Sequence, residues 1–114
     1  MMRVLVCGGR NYYNFLYACL KLDEIHAKTP ITLIIEGGAN GADRLARRWA
    51  IVEGVPYETH EANWTRYRQL AGSERNTRML REGKPDLVVA FPGGKGTRHM
   101  VTIATEAGVE TIWA

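Results

Sequence analysis

The amino-acid sequence predicts a three-layer α/β fold, in which helices cover both faces of a five-stranded parallel sheet. Short apolar runs alternate with helical patterns along the whole chain of 114 residues. Each connection between two apolar runs contains a helix, as crossovers between parallel strands do. Because such crossovers are right-handed, we expect a Rossmann-like sheet with the strand order 3-2-1-4-5, in a single domain over residues 1–114.

The first half of the chain contains two predicted buried strands, each followed by a helix. Residues 3–7 and 31–35 are continuous apolar runs that end at glycine-rich turns, which is typical of strands buried on both faces. Apolar side chains recur at helical spacing over residues 15–27 and again between Gly41 and Gly54.

The middle of the chain is more polar. Residues 56–62 predict a weak strand at an edge of the sheet, because polar side chains interrupt the apolar pattern. An arginine-rich helical segment follows and runs to Glu82, with a break expected near Gly72.

The last third repeats the strand–helix–strand pattern. Residues 86–91 are the clearest buried strand, and a Pro-Gly-Gly turn closes it. We expect a helix over residues 97–107, capped by Gly108, and a final strand over residues 109–113.

The composition is that of an ordinary globular protein, with 46% hydrophobic and 24% charged residues and a net charge of +3. No stretch approaches the roughly 20 apolar residues that cross a bilayer, and no signal peptide is recognisable, so we expect a cytoplasmic protein with no membrane partner. Cys7 and Cys19 are expected to be small buried side chains in a reducing compartment. The three histidines are scattered, and we expect neither a metal site nor a cofactor.

Three glycine-rich turns are expected at one edge of the sheet. They follow the first, second and fourth strands, as GGRNY at residues 8–12, EGGANGAD at residues 36–43 and PGGKGT at residues 92–97. Ligands of open parallel sheets bind beyond the carboxyl ends of the strands, where the strand order reverses. Glycines let backbone N–H groups approach a phosphate, and the next helix presents the positive end of its dipole. The sequence therefore favours a phosphate site here over turn geometry alone.

Two side chains at these turns each fit two roles. Thr97 can cap its helix or donate its hydroxyl to a phosphate oxygen, and Asp43 can cap the earlier helix or accept from a ribose hydroxyl. The turn at residues 92–97 lacks the spacing of a P-loop, and residues 8–9 do not extend to the dinucleotide fingerprint. ATP hydrolysis and simple NAD binding are therefore disfavoured.

Five segments, in the same order along nearly the whole chain, resemble the SLOG superfamily. They are GGRNY at 8–12, GGANGADRLA at 37–46, ANW at 62–64, AGSERNTRM at 71–79 and PGGKGT at 92–97. This superfamily includes the LONELY GUY phosphoribohydrolases and the DNA-processing protein A domain, and the resemblance is greatest to its short stand-alone branch of bacteria and phages. It implies a Rossmannoid domain that binds nucleotides or nucleotide-derived molecules, in some cases as a sensor.

One position departs from the pattern of the phosphoribohydrolases. In those enzymes a catalytic Glu lies three residues after the Thr of the last loop, and an Arg assists it. Arg75 is the candidate match for that Arg, whereas Met100 stands at the position of the Glu. Hydrolysis by the usual acid is therefore not expected, and Met100 is predicted to pack in the core beneath its helix.

Several polar side chains near the turns have both a binding and a structural interpretation. Arg10 is favoured as a phosphate ligand over an ordinary surface arginine. Arg75 and Asn76 fit a pocket and a helix surface equally well, with Arg75 paired in the second case with a glutamate of its own helix. Trp64 is interpreted as packing over the sheet rather than stacking on a base.

The acids at the turns are candidates for catalysis if the protein is an enzyme. Glu36 is placed first and Asp43 second, because Glu36 is the only acid at the end of a central strand. A hydrogen bond to a loop or to a ribose is the more common role of such a residue.

The leading prediction is a homo-oligomeric domain that binds a nucleotide or nucleotide-derived small molecule. The residues expected to bind it are Gly8, Gly9, Arg10, Gly37, Gly38, Asn40, Gly41, Asp43, Arg75, Asn76, Pro92, Gly93, Gly94, Gly96 and Thr97. The first alternative is an N-glycosidic hydrolase of nucleotides with a non-standard acid. The second is binding of single-stranded nucleic acid through Arg66, Arg68 or Arg78.

Overall fold

Five parallel strands form one sheet in the computed structural model, which describes all 114 residues. The strands are β1 (Met2–Cys7), β2 (Ile31–Glu36), β3 (Tyr57–Thr59), β4 (Leu87–Ala90) and β5 (Glu110–Trp113). Their order is β3-β2-β1-β4-β5, and all neighbouring strands pair in parallel. The predicted Rossmann-like sheet with the order 3-2-1-4-5 is therefore confirmed.

Helices fill the connections between the strands. They are α1 (Phe15–Lys28), α2 (Ala42–Glu53), α3 (Trp64–Tyr67), α4 (Ala71–Gly83) and α5 (Lys95–Glu106), with a 3-10 turn at Arg68–Leu70 between α3 and α4. None of these helices has the length and apolar character needed to cross a membrane.

The core consists of two apolar layers, one on each face of the sheet. Val4 and Val6 of β1 belong to a cluster with side chains of α1 and α2. Leu5 and Cys7 point to the opposite face, because successive side chains of a strand alternate, and pack with side chains of α4 and α5 such as Met100. Helices on both faces cover β1 and β4, which explains their continuous apolar sequences.

Three local features differ from the sequence predictions. The break in the arginine-rich segment lies at Arg68, whose φ is 50°, and Gly72 is inside α4. Arginine is not among the residues that usually mark a turn, so the sequence directed the prediction to the nearby glycine. The third strand covers three residues rather than seven, because only Ile34–Glu36 of β2 pair with it. Cys19 is only half-buried, whereas Cys7 is buried, and both thiols are free.

The start of α5 has a direct bearing on the ligand site. The helix begins at Lys95, two residues before the predicted start at Thr97. The glycines of the last loop therefore extend into the first turn of the helix, so that Gly94 is the N-cap residue and Gly96 is already helical.

Candidate functional site

A cavity of about 910 Å³ lies at the carboxyl ends of β1 and β4, where the strand order reverses. Its volume is within the range of about 300–1,000 Å³ that is usual for small-molecule sites. We refer to it as the main cavity. Of the predicted ligand-binding residues, it is lined by Gly8, Gly9, Arg10, Asp43, Arg75, Asn76, Pro92, Gly93, Gly94, Gly96 and Thr97.

A second cavity of about 360 Å³ adjoins the first, and we refer to it as the side cavity. It is lined by three more of the predicted residues, Gly37, Gly38 and Asn40. The last predicted residue, Gly41, lines neither cavity. A Cβ atom at Gly41 would overlap the carbonyl oxygen of Gly9, so this glycine lets two loops of the chain pack together.

Residues 92–96, here called the β4 loop, contain two glycines at which no close packing excludes a side chain. A Cβ atom added to Gly94 or Gly96 would have no heavy atom within 4 Å, and neither residue has a positive φ. Gly93 differs, because a Cβ atom there would overlap the hydroxyl of Thr97 and lie 2.7 Å from the nitrogen of Gly9. Gly94 and Gly96 leave the wall of the main cavity open where an incoming ligand would meet backbone.

The start of α5 in the main cavity has no side-chain cap. By contrast, Asn14 caps α1 by accepting a hydrogen bond from the N–H of Tyr17 at 3.0 Å. The first N–H groups of a helix have no partner within the helix and favour an anion. Thr97 does not cap α5; its side chain is buried and lines the main cavity. No fully buried side-chain nitrogen or oxygen of the chain lacks a hydrogen-bond partner. This arrangement suits a phosphate.

Arg75 is held inside the site by hydrogen bonds to both walls. One terminal nitrogen donates to the carbonyl oxygen of Gly37 at 2.6 Å, and Nε donates to Oδ1 of Asn76 at 3.0 Å. Nδ2 of Asn76 in turn donates to the carbonyl oxygen of Gly96 at 3.1 Å. This chain of bonds connects the end of β2 to the start of α5. Burial lowers the pKa of Arg75, and the charge of Asp43 opposes that effect.

The surface interpretation of Arg75 is therefore wrong. The glutamates of its helix pair with other arginines, Glu74 with Arg78 at 3.2 Å and Glu82 with Arg81 at 3.4 Å. Asn76 is likewise buried, beneath the main cavity, and its amide also approaches Nδ1 of His99 at 3.1 Å.

Asp43 is the acid that reaches the main cavity. Its side chain is almost fully buried and accepts a hydrogen bond from the N–H of Ala39 at 3.2 Å. Burial raises the pKa of Asp43 to about 6, although this hydrogen bond and the charge of Arg75 act in the opposite direction. The carboxyl group thus changes its charge close to neutral pH.

Glu36 lies behind the loop that follows β2 and lines neither cavity. It is fully buried, and its carboxylate accepts hydrogen bonds from the N–H of Gly38 at 2.6 Å, the hydroxyl of Thr59 at 2.5 Å and Nε of Arg47 at 3.2 Å. The sequence placed Glu36 before Asp43 as a candidate catalytic acid, whereas their surroundings favour Asp43. Met100 is fully buried in the core, as its pattern predicts.

Trp64 and Arg10 form a pair at the boundary of the two cavities. The guanidinium carbon of Arg10 lies 5.3 Å from the centroid of the Trp64 ring, and both residues line both cavities. Trp64 is 50% exposed, so the prediction that it packs over the sheet is wrong. The ring of Tyr12 packs against that of Phe91, with the centroids 5.1 Å apart, and also lines the main cavity.

Cys7 is the cysteine that lines the main cavity. Burial raises the pKa of Cys7 to about 12, so this thiol is not a thiolate nucleophile at neutral pH. No three or more His, Cys, Asp or Glu side chains are grouped so that they could hold a metal ion.

The sequence predictions missed several residues of the site. Asn11 and Asn14 line the main cavity, and their position within and just after the first glycine-rich turn is the signal that could have identified them. Glu61 lines the side cavity, and nothing in the local sequence marks it, because pairing of β3 with β2 brings it there.

Comparison with known proteins gives a family match, two similar sequences and one similar structure. The model of the YspA, cpYpsA-related SLOG family matches residues 2–67. The Gene 61 protein of Mycobacterium phage D29 is 39% identical over 120 residues, which cover 98% of this chain and 95% of that protein.

The other two matches are much longer than this chain. The UDP-N-acetylglucosamine–N-acetylmuramyl-(pentapeptide) pyrophosphoryl-undecaprenol N-acetylglucosamine transferase of Exiguobacterium sibiricum is 28% identical over 122 residues, covering 97% of this chain and 32% of that enzyme. The crystal structure of Acinetobacter baumannii MurG superposes with a TM-score of 0.58 and 12% identity, over 99% of this chain and 34% of MurG. Such low identity shows a common fold alone.

Proposed function

Because the chain belongs to the YspA, cpYpsA-related SLOG family, we propose that it binds a nucleotide or nucleotide-derived molecule whose phosphate rests on the start of α5. The observation that carries this proposal is the pair of open glycines, Gly94 and Gly96. A Cβ atom would meet no other part of the chain at either position, and neither residue has a positive φ, yet both line the main cavity at an uncapped helix start.

The charges of the main cavity support the same ligand. Arg10 and Arg75 both line it, and the guanidinium of Arg75 keeps N–H groups free for a ligand after its bonds to Gly37 and Asn76. Planar guanidinium groups suit the oxygens of a phosphate. The aromatic ring of Tyr12 offers an apolar wall for the remainder of the molecule.

The first test is a thermal-shift screen against nucleoside mono-, di- and triphosphates and cyclic nucleotides, with mass spectrometry of each mixture. A ligand at about 100 times its Kd adds about 2.7 kcal/mol to the free energy of unfolding. Gly96→Ala is expected to weaken binding about tenfold, because the added Cβ keeps the phosphate from the backbone. Gly108→Ala, outside both cavities, is the control and should leave the affinity unchanged, although its φ of 77° lowers the stability of that variant. A screen without any stabilising compound would contradict the proposal.

Hydrolysis of a nucleotide N-glycosidic bond is the second candidate function. Asp43 supports it, because this acid lines the main cavity and has a pKa of about 6, close to neutral pH. We expect mass spectrometry to detect free base and ribose phosphate if the protein hydrolyses its ligand, and Asp43→Asn to abolish both. A ligand recovered intact by the wild-type protein would exclude this activity for that ligand.

Binding of single-stranded nucleic acid has less support from the surface arginines. Arg78 is paired with Glu74 and donates to the carbonyl oxygen of Glu61 at 2.8 Å, and Arg66 lies over the ring of Tyr67.

The cytoplasm is the proposed location, since both cysteines are free.

Self-association is proposed through α1, where apolar side chains are exposed. Leu16 and Leu20 are one turn apart and are 72% and 58% exposed. We expect light scattering to give the mass of an oligomer for the wild-type protein and that of a monomer for Leu16→Glu/Leu20→Glu. A monomeric wild-type protein would contradict this proposal.

A further inference from the structure

The main and side cavities adjoin each other. Arg10, Ala39, Trp64 and Arg75 line both of them, so these four residues lie at the junction. The side chain of Arg75 lies at this junction, and its hydrogen bonds through Asn76 reach the start of α5. A ligand with its phosphates on α5 would therefore extend toward the side cavity.

The main and side cavities differ in the chemistry of their walls. The start of α5 and the two arginines make the main cavity suitable for phosphate. The side cavity adds the carboxylate of Glu61, the amide of Asn40 and the backbone of Gly37 and Gly38. A carboxylate repels a second phosphate but accepts hydrogen bonds from hydroxyl groups, and an amide both donates and accepts.

Glu61 is held at the side cavity while its carboxylate stays available. Its carbonyl oxygen accepts a hydrogen bond from Arg78 at 2.8 Å, and one carboxylate oxygen lies over Gly38, 3.4 Å from where a Cβ atom would be. None of the ion pairs of the chain involves Glu61. The glycine at position 38, whose φ is 76°, leaves the space beneath this carboxylate open.

We propose that the ligand of this site is a nucleoside diphosphate that carries a hydroxyl-rich group, a sugar, on its distal phosphate. The diphosphate lies between the start of α5 and Arg75, and the sugar occupies the side cavity, where Glu61 and Asn40 bind its hydroxyl groups. The inference rests on the proposed nucleotide binding and adds the chemical class of the ligand. A side cavity of about 360 Å³ is large enough for one small-molecule group.

The test compares affinities within two chemical series by isothermal titration calorimetry. The probes are AMP, ADP and ADP-ribose, and UMP, UDP and UDP-N-acetylglucosamine. In at least one series, we expect the sugar conjugate to bind about tenfold more tightly than the diphosphate, the gain of about one hydrogen bond to a charged group. Glu61→Ala should remove this advantage and leave the affinity for the diphosphate unchanged, because the diphosphate does not reach Glu61.

The control variant is Glu24→Ala, which removes an exposed acid that lines neither cavity. It should change neither affinity, and thermal unfolding verifies that both variants are folded. The inference is overturned if diphosphates and their sugar conjugates bind equally in both series, or if Glu61→Ala weakens both alike. In those cases nucleotide binding itself still stands. If none of the six probes binds the wild-type protein, both the inference and the proposed function fail.

Discussion

Two glycine-rich loops of this chain look alike in sequence and differ in structure. The β4 loop at residues 92–96 and the loop at residues 37–41, here called the β2 loop, each have two adjacent glycines and another glycine nearby. In the β2 loop, a Cβ atom at any glycine would meet other parts of the chain: Arg75 and Asp43 at Gly37, Thr59 and Glu61 at Gly38, and Gly9 and Arg10 at Gly41. In the β4 loop, a Cβ atom at Gly94 or Gly96 would have no neighbour within 4 Å.

The difference shows that a run of glycines has two separate physical causes. The glycines of the β2 loop allow side chains and another loop to pack closely against its backbone, so their removal should cost stability. Gly94 and Gly96 contribute no such packing, and their removal should cost ligand binding instead. Stability and binding measured on the same variants therefore distinguish the two loops.

The largest effect is expected for Gly41→Ala. Its φ is 81°, and a Cβ atom would overlap the carbonyl oxygen of Gly9 and lie 2.7 Å from the carbonyl carbon of Arg10. We expect a loss of about 3 kcal/mol in the free energy of unfolding from backbone strain and overlap together. Urea denaturation followed by circular dichroism measures it.

Gly54→Ala is the control for the strain alone. Gly54 also has a positive φ of 71°, but a Cβ atom there has no neighbour within 4 Å. Gly54→Ala should therefore lower the free energy of unfolding by only about 1 kcal/mol. Equal losses at the two positions would show that the contact between the β2 loop and Gly9 is not tight.

Asp43→Asn tests the acid that accepts a hydrogen bond from the β2 loop and lines the main cavity. The pKa of Asp43 is about 6 in the folded protein and 3.8 when unperturbed, so the folded state binds the proton more tightly. The stability that this difference provides is present below pH 3.8 and is lost as the pH rises through about 6. The amide of the variant does not titrate, so we expect the variant to gain on the order of 2 kcal/mol relative to the wild type between pH 4 and pH 7.5.

The measurement is the difference between the two proteins in urea denaturation at pH 4, 5, 6 and 7.5. Subtracting one protein from the other cancels the titration of all groups that they share. A difference that does not depend on pH would mean that the Asp43 carboxyl keeps its ordinary pKa, and the second candidate function would lose its support.

Glu36→Gln tests whether the buried carboxylate of Glu36 stabilises the β2 loop. The amide loses the charge that binds Arg47, Thr59 and the N–H of Gly38. We expect a loss of about 1.5 kcal/mol in the free energy of unfolding, since the side chain is fully buried but Arg47 remains partly hydrated. Glu74→Gln removes a half-exposed ion pair and should cost less than about 0.5 kcal/mol. Similar losses in the two variants would show that Glu36 stabilises the β2 loop no more than an ordinary surface ion pair does.

The fold could be predicted from the sequence because its signals are periodic and local. Continuous apolar runs mark β1, β2 and β4, and helical spacing marks α1, α2 and α5. The short edge strand β3 and the break at Arg68 were less well predicted. Pairing with β2 alone sets the length of that strand, and a non-glycine residue with a positive φ has no reliable sequence signature.

The candidate site could be predicted as a place but not in its contacts. The topology brings the three glycine-rich turns to one edge, so most of the predicted residues line the two cavities. The contacts of Glu36, Arg75 and Trp64 depend on side chains that are distant in sequence. Burial of Glu36 against Arg47 and exposure of Trp64 beneath Arg10 are results of packing, which periodicity does not encode.

A small gain in stability is expected for Gly96→Ala, in contrast to the losses expected for Gly41→Ala and Glu36→Gln. Gly96 lies in the first turn of α5, where alanine loses less conformational entropy and meets no atom of the chain. We expect the variant to be about 0.5 kcal/mol more stable than the wild type while binding ligand more weakly. The same substitution at Gly37 should destabilise the protein, because a Cβ atom there would displace the guanidinium of Arg75. If Gly96→Ala also destabilises the fold, glycine at this position serves the chain, and the phosphate assigned to the start of α5 loses its main support.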